Sequence, residues 1–128
     1  MKRSEMQDEK MEQKEAHWVP VADADSIAPG QFTCVSIEGR NIDIFNVDGE
    51  YYAVGDVCTH AETPLSEGDF YEDMRGWVIE CPLHGSQFDV TTGDAVSLPA
   101  TGNAGKYEVR VEDGQILVNP EPTTPFGL

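Results

Sequence analysis

An all-β fold is what this chain of 128 residues predicts, on three observations. Short apolar runs recur between turns rich in glycine. Two of those turns, Asp48-Gly49 and Asp113-Gly114, are strong hairpin signals. Helix has little room beyond one turn near Ala22–Ile27. Many short strands punctuated this way build a sandwich or a small barrel.

The elements follow in order. Met1–Ala16 is highly charged and lacks an apolar stripe, since Met1, Met6 and Met11 would spiral around a helix. It reads as a disordered or frayed tail. Ala28-Pro29-Gly30 is a turn, followed by a strand near Gln31–Ile37 and a second turn at Glu38-Gly39. Asn41–Val47 and Tyr51–Val54 flank the first hairpin turn. A strand ends near Val57, and Gly76–Glu80 and Gln87–Val90 are two more, the latter closed by Thr92-Gly93. Lys106–Val111 alternates, with Tyr107, Val109 and Val111 on one face. It enters the second hairpin, which returns through Gln115–Val118. Asn119–Leu128 carries Pro120, Pro122 and Pro125, and predicts an extended tail that joins a ladder poorly. The expected organisation is therefore a tail over 1–16, one domain over 17–118 and a proline-rich tail over 119–128.

Composition narrows the function. The chain carries 24 acidic against 8 basic residues, for a formal charge of −16. Such a body repels nucleic acid and anionic membrane surfaces, and is steered toward a partner with a positive patch. Acidity that serves only solubility is the plainer reading. No run approaches the roughly 20 apolar residues of a membrane helix, and Met1–Ala16 has no signal-peptide core. These features predict a cytoplasmic protein. Three cysteines make a poor disulfide framework. They suit a reducing compartment, where cysteine more often binds metal. Cys34, within an apolar strand, is expected to be a buried core thiol.

Two segments stand apart from the strand pattern. Cys58-Thr59-His60 follows one strand, and Cys81-Pro82-Leu83-His84 follows another. Each supplies one thiolate and one imidazole. Two of the three cysteines and two of the three histidines fall into these matched pairs. Zinc accepts two cysteines and two histidines, but common zinc frameworks place like ligands together. Mixed order in each loop fits a dinuclear cluster, with both cysteines on one iron and both histidines on the other. Gly85 leaves room for a close backbone approach, and Ser86 can donate a hydroxyl hydrogen bond to sulfur. Pro64, Leu65, Pro82, Leu83 and Phe88 could form an apolar collar, with Pro99 on a third side; ordinary loop stiffening explains the same residues.

The run Cys81-Pro82-Leu83-His84-Gly85-Ser86-Gln87-Phe88-Asp89, preceded by Cys58-Thr59-His60, resembles the Rieske signature. Leu98-Pro99-Ala100 and Tyr107–Val111 with Asp113-Gly114 resemble the end of bacterial Rieske-type ferredoxins. The resemblance implies stacked antiparallel sheets with a small cluster-binding subdomain at one tip. It implies one Rieske 2Fe–2S cluster on Cys58, His60, Cys81 and His84, with the histidines outermost. The extra loop cysteines of cytochrome-complex members are missing, since Leu83 holds one such position. The large domain of oxygenase catalytic subunits has no counterpart here.

The implied function is one-electron carriage, not catalysis. Electrons would pass from a flavin-dependent reductase to a terminal Rieske oxygenase, by docking at the His60/His84 tip, and a monomer suits such a shuttle. The small subunit of a nitrite-reductase-like complex is the alternative. Two departures from the family stand out. The gap before Cys81 is longer than usual, with the excess around Glu72–Gly76. Phe88 stands where high-potential members place a tyrosine. Rieske potentials span about −150 to +300 mV, and the missing hydroxyl predicts the lower half. The potential is also expected to fall as pH rises through the histidine pKa of the oxidised state. Glu62, Glu67, Asp69, Glu72 and Asp73 are the expected acidic guides for docking.

Overall fold

The computed structural model describes residues 17–61 and 63–127, so the charged tail Met1–Ala16, Glu62 and Leu128 lie outside the described residues. In chain order the strands are β1 (Val19–Asp23), β2 (Phe32–Ile37), β3 (Arg40–Val47), β4 (Glu50–Gly55), β5 (Asp69–Asp73), β6 (Gly76–Glu80), β7 (Gln87–Asp89), β8 (Lys106–Tyr107), β9 (Val109–Glu112) and β10 (Gln115–Val118). They form three antiparallel sheets, ordered β1-β10-β9, β2-β3-β4-β8 and β5-β6-β7. The expected all-β class holds, and the helical turn is a single 3-10 turn at Ala24–Ser26.

β3 is the central plank. Five consecutive residues of it, Ile42 to Asn46, are buried, so both faces are covered. Alternation then assigns the sides. Ile42 and Ile44 pack with Ile37, Ala53, Ile116 and Val118 against the first sheet. Phe45 packs the other way, with Leu65, Ile79, Phe88 and Val90 of the loop-bearing subdomain. Phe32 stacks on Phe45 at 5.1 Å, and Phe70 continues the aromatic contact at 4.8 Å to Phe45 and 5.0 Å to Trp77. Each such pair adds about 0.5–1.5 kcal/mol beyond area burial. These rings fasten the third sheet to the second.

Several expectations change. Cys34 is exposed, not a core thiol, because β2 is the edge of its sheet and leaves this side chain uncovered. Lys106–Val111 is not one strand: β8 pairs with β4, and after Glu108 β9 pairs with β10 in another sheet. β1 has no counterpart among the expected strands, and it carries Pro20. It survives at a sheet edge, with an irregular register between Pro20 and Ala22. The excess near Glu72–Gly76 is no loose loop but the end of the β5–β6 hairpin. The proline-rich segment after Val118 folds back on the domain. Lys106 N–H donates to Thr124 O at 2.9 Å, Thr123 N–H to Lys106 O at 2.8 Å, and Gly127 N–H to Asn103 O at 2.7 Å. Prolines interrupt the ladder without preventing these single bonds.

Candidate metal centre

The two chemistry-bearing loops are built alike. Cys58 N–H donates to Thr63 O at 2.9 Å, and Cys81 N–H donates to Ser86 O at 2.7 Å. Each cysteine thus opens a turn that closes on the residue five positions later. Gly85 closes the second turn, with φ of +78° and its N–H on Cys81 O at 3.0 Å. Both thiols are buried, at 1% exposure each, and neither is in a disulfide. Both imidazoles are exposed, with ring centroids 5.1 Å apart, edge to face. The four predicted ligand residues therefore come together at one tip, thiols inward and imidazoles outward.

Three features hold the loops in this relation. Asp56 stands at the base of the first loop, where its carboxylate accepts from Ser66 N–H at 2.7 Å and Ser66 Oγ at 3.1 Å. Its backbone oxygen accepts from Leu65 N–H at 3.2 Å. Gly68 presses against the strand that leads to Cys81: a Cβ there would lie 1.7 Å from Glu80 O. A third segment covers the side of both loops. Thr59 Oγ1 donates to Gly102 O at 3.0 Å, and Ala100 N–H donates to Ser86 Oγ at 3.1 Å. Ser86 is fully buried, and this bond uses its oxygen as acceptor, which leaves its hydroxyl hydrogen able to donate elsewhere.

On their own, the surroundings of Cys58 favour the protonated thiol. Burial raises the Cys58 pKa most, and the neighbouring Cys81 raises it further. The backbone N–H groups of His60 and Ala61 act the other way, stabilising a thiolate. Two adjacent sulfurs below two imidazoles are a donor set that fits a two-iron cluster with one sulfur-bound and one nitrogen-bound iron.

The apolar collar divides. Leu65 and Phe88 are fully buried beneath the cysteines, whereas Pro64, Pro82, Pro99 and Leu83 lie at the surface, Leu83 at 57% exposure. The collar is thus an underlayer plus an exposed apolar rim. Sequence reasoning missed Asp56, Gly68 and Asn103. Asn103 is buried, and its side chain bonds Thr92 O, Asp94 Oδ1 and Gly105 N–H, which fixes the third segment. A lone aspartate closing an apolar strand was the available signal for Asp56. Of the acidic guides, Glu67, Asp69 and Glu72 are exposed and Asp73 half-buried. Asp73 is held below the usual carboxylate range, chiefly by the Arg75 backbone N–H and then its guanidinium.

Known proteins share the sequence pattern and the fold. The family model described as "Rieske [2Fe-2S] domain" matches residues 17–118. A ferredoxin component of naphthalene 1,2-dioxygenase/salicylate 5-hydroxylase systems from a Ralstonia species is 37% identical over 105 residues, covering 82% of this chain and 97% of the relative. Among solved structures, a chain from a complex of reduced oxygenase and oxidised ferredoxin in carbazole 1,9a-dioxygenase aligns with a TM-score of 0.76 at 37% identity, covering 84% of this chain and 97% of that one. A nitrite reductase small subunit aligns with a TM-score of 0.68 at 23% identity, over 79% of this chain and 96% of its own. That last likeness is one of fold alone.

Proposed function

This chain belongs to the Rieske [2Fe-2S] domain family, and from that premise we propose that it is the ferredoxin component of a multicomponent oxygenase system. The single observation that carries the reading is the tip itself: two buried thiols under two exposed, adjacent imidazoles. The cofactor is one Rieske 2Fe–2S cluster. When bound, it supplies reversible one-electron exchange at iron.

The protein's own residues do the rest. Cys58 and Cys81 would hold one iron, and His60 and His84 the other. Leu65, Phe88 and Ile79 keep water from the sulfur side. Ser86, buried beside the second loop, would donate its hydroxyl hydrogen to a sulfur. His60 and His84 would form the contact edge where an electron leaves or enters. Around them, exposed Leu83, Leu98 and Phe126 offer an apolar rim that a partner can cover. The donor is a flavin-dependent reductase and the acceptor a terminal oxygenase, each docking at this tip in turn. The carrier works as a monomer in the cytoplasm, where its free thiols stay reduced.

Reconstitution tests the reading. Purified protein, added to an aromatic-dioxygenase reductase and its terminal oxygenase, should restore product formation that neither supports alone. A chain carrying His84→Ala should not. Stable co-purification with a large haem-containing subunit, and no turnover with any oxygenase, would overturn the assignment.

A further inference from the structure

A second group of ligand-type side chains lies away from the tip. β2 and β3 pair so that Cys34 faces Asp43 across the ladder, and Asp56 reaches the same spot from the end of β4. One donor atom from each, a sulfur and two carboxylate oxygens, lie within 4.8 Å of one another. Cys34 Sγ is 3.6 Å from Asp56 Oδ2. A tetrahedral zinc-class ion, with metal–sulfur near 2.3 Å and metal–oxygen near 2.1 Å, sets sulfur and oxygen about 3.6 Å apart.

Asp43 supplies the independent observation. It is fully buried, and no N–H group or hydroxyl satisfies either of its carboxylate oxygens; the polar groups it meets are Asp56 and Cys34. Buried polar groups are nearly always satisfied, and an orphaned carboxylate is costly. A sulfur and two carboxylate oxygens this close form a compact donor set that one cation can join. Among the described residues the guanidinium groups are occupied elsewhere. Arg40 bonds Pro120 O, Arg75 pairs with Asp73, and Arg110 pairs with Glu112.

We propose that Cys34, Asp43 and Asp56 form a second metal site, which takes one divalent ion of the zinc class. The two carboxylates supply the buried floor. Exposed Cys34 supplies the mouth, and the fourth position opens to water. Ser66 orients the Asp56 carboxylate through both of its bonds, as an outer-shell partner does in built metal sites. Asp56 leads into the loop that carries Cys58, so a bound ion would join the β2–β3 ladder to the base of that loop.

The test uses the cluster-loaded protein and Zn²⁺ alone. Equilibrium dialysis followed by metal analysis should find one zinc per chain in addition to iron. Cys34→Ser and Asp43→Asn should each weaken zinc binding about tenfold or more, since even outer-shell losses cost that much. The Asp43→Asn change is close to isosteric, and Cys34 is exposed, so both variants should fold and keep their iron and visible spectrum. Zn²⁺ should also slow alkylation of Cys34 in the parent, and not in Asp43→Asn. Absence of stoichiometric zinc, or equal affinity in both variants and the parent, would overturn the proposal. Missing iron in the parent would instead count against the electron-carrier reading.

Discussion

At the scale of single residues, the four ligand positions were legible because cysteine and histidine are scarce here and fall into two matched pairs. Serine at Cys58 or Cys81 should leave a folded chain without the visible iron–sulfur spectrum; a spectrum retained in either variant would contradict the ligand set. Asp43 was not legible, because its isolation depends on what packs over β3 rather than on its neighbours in sequence. Burial, followed by the closeness of the Asp56 carboxyl, pushes its pKa to about 9. An unfolded aspartate titrates near 4. The folded chain therefore keeps a proton that the unfolded chain releases. The stability contribution is fully present below about pH 4 and is lost as pH rises toward about 9. Asparagine has no such proton to lose. In metal-free buffer, the stability of Asp43→Asn relative to the parent should improve steadily between about pH 5 and pH 8, on the order of 1 kcal/mol per pH unit. Denaturant titration at the two pH values measures this, and a pH-independent difference would contradict it.

At the scale of elements, the hairpins were legible from Asp48-Gly49 and Asp113-Gly114, whose aspartates both take positive φ. β5 was hidden, because Asp69, Glu72 and Asp73 made an edge strand look like loop. Its hairpin is anchored, not loose. Arg75 donates to Val96 O at 2.8 Å and to Asp73 at 3.0 Å, and also to Gln87, which in turn bonds Tyr71. Met74 stands fully exposed beside that anchor. Arg75→Ala should loosen the hairpin and weaken oxygenase docking several-fold, read as a raised KM for the ferredoxin with kcat little changed. An unchanged KM would make the anchor purely structural. Gly68 was equally hidden, since its role is a contact with Glu80 O across the fold. Gly68→Ala should cost about 2 kcal/mol or more and lower the melting temperature, because neither backbone can yield cheaply. A variant as stable as the parent would show that the two loops are not held by this contact.

At the scale of the whole molecule, fold class and tip were legible, while the three-sheet division was not. The alternation over Lys106–Val111 gave no sign that the chain changes sheets at Glu108. The return of residues 119–127 onto β8 was equally hidden by their prolines. Net charge acts at this scale too. With Glu67, Asp69 and Glu72 exposed near the subdomain, electron transfer to the oxygenase should slow as salt rises from about 50 to 300 mM, where the screening length shrinks below about 10 Å. Rates indifferent to salt would return those residues to solubility. In the proposed carrier, one tip of this fold would hold two irons, one between thiols and the other between imidazoles. Electron paramagnetic resonance of the dithionite-reduced protein distinguishes this arrangement from the others. A single signal with the lowered average g of mixed cysteine–histidine clusters is predicted. An average g typical of all-cysteine clusters, or a colourless protein that carries zinc at the tip and gives no signal, would contradict it.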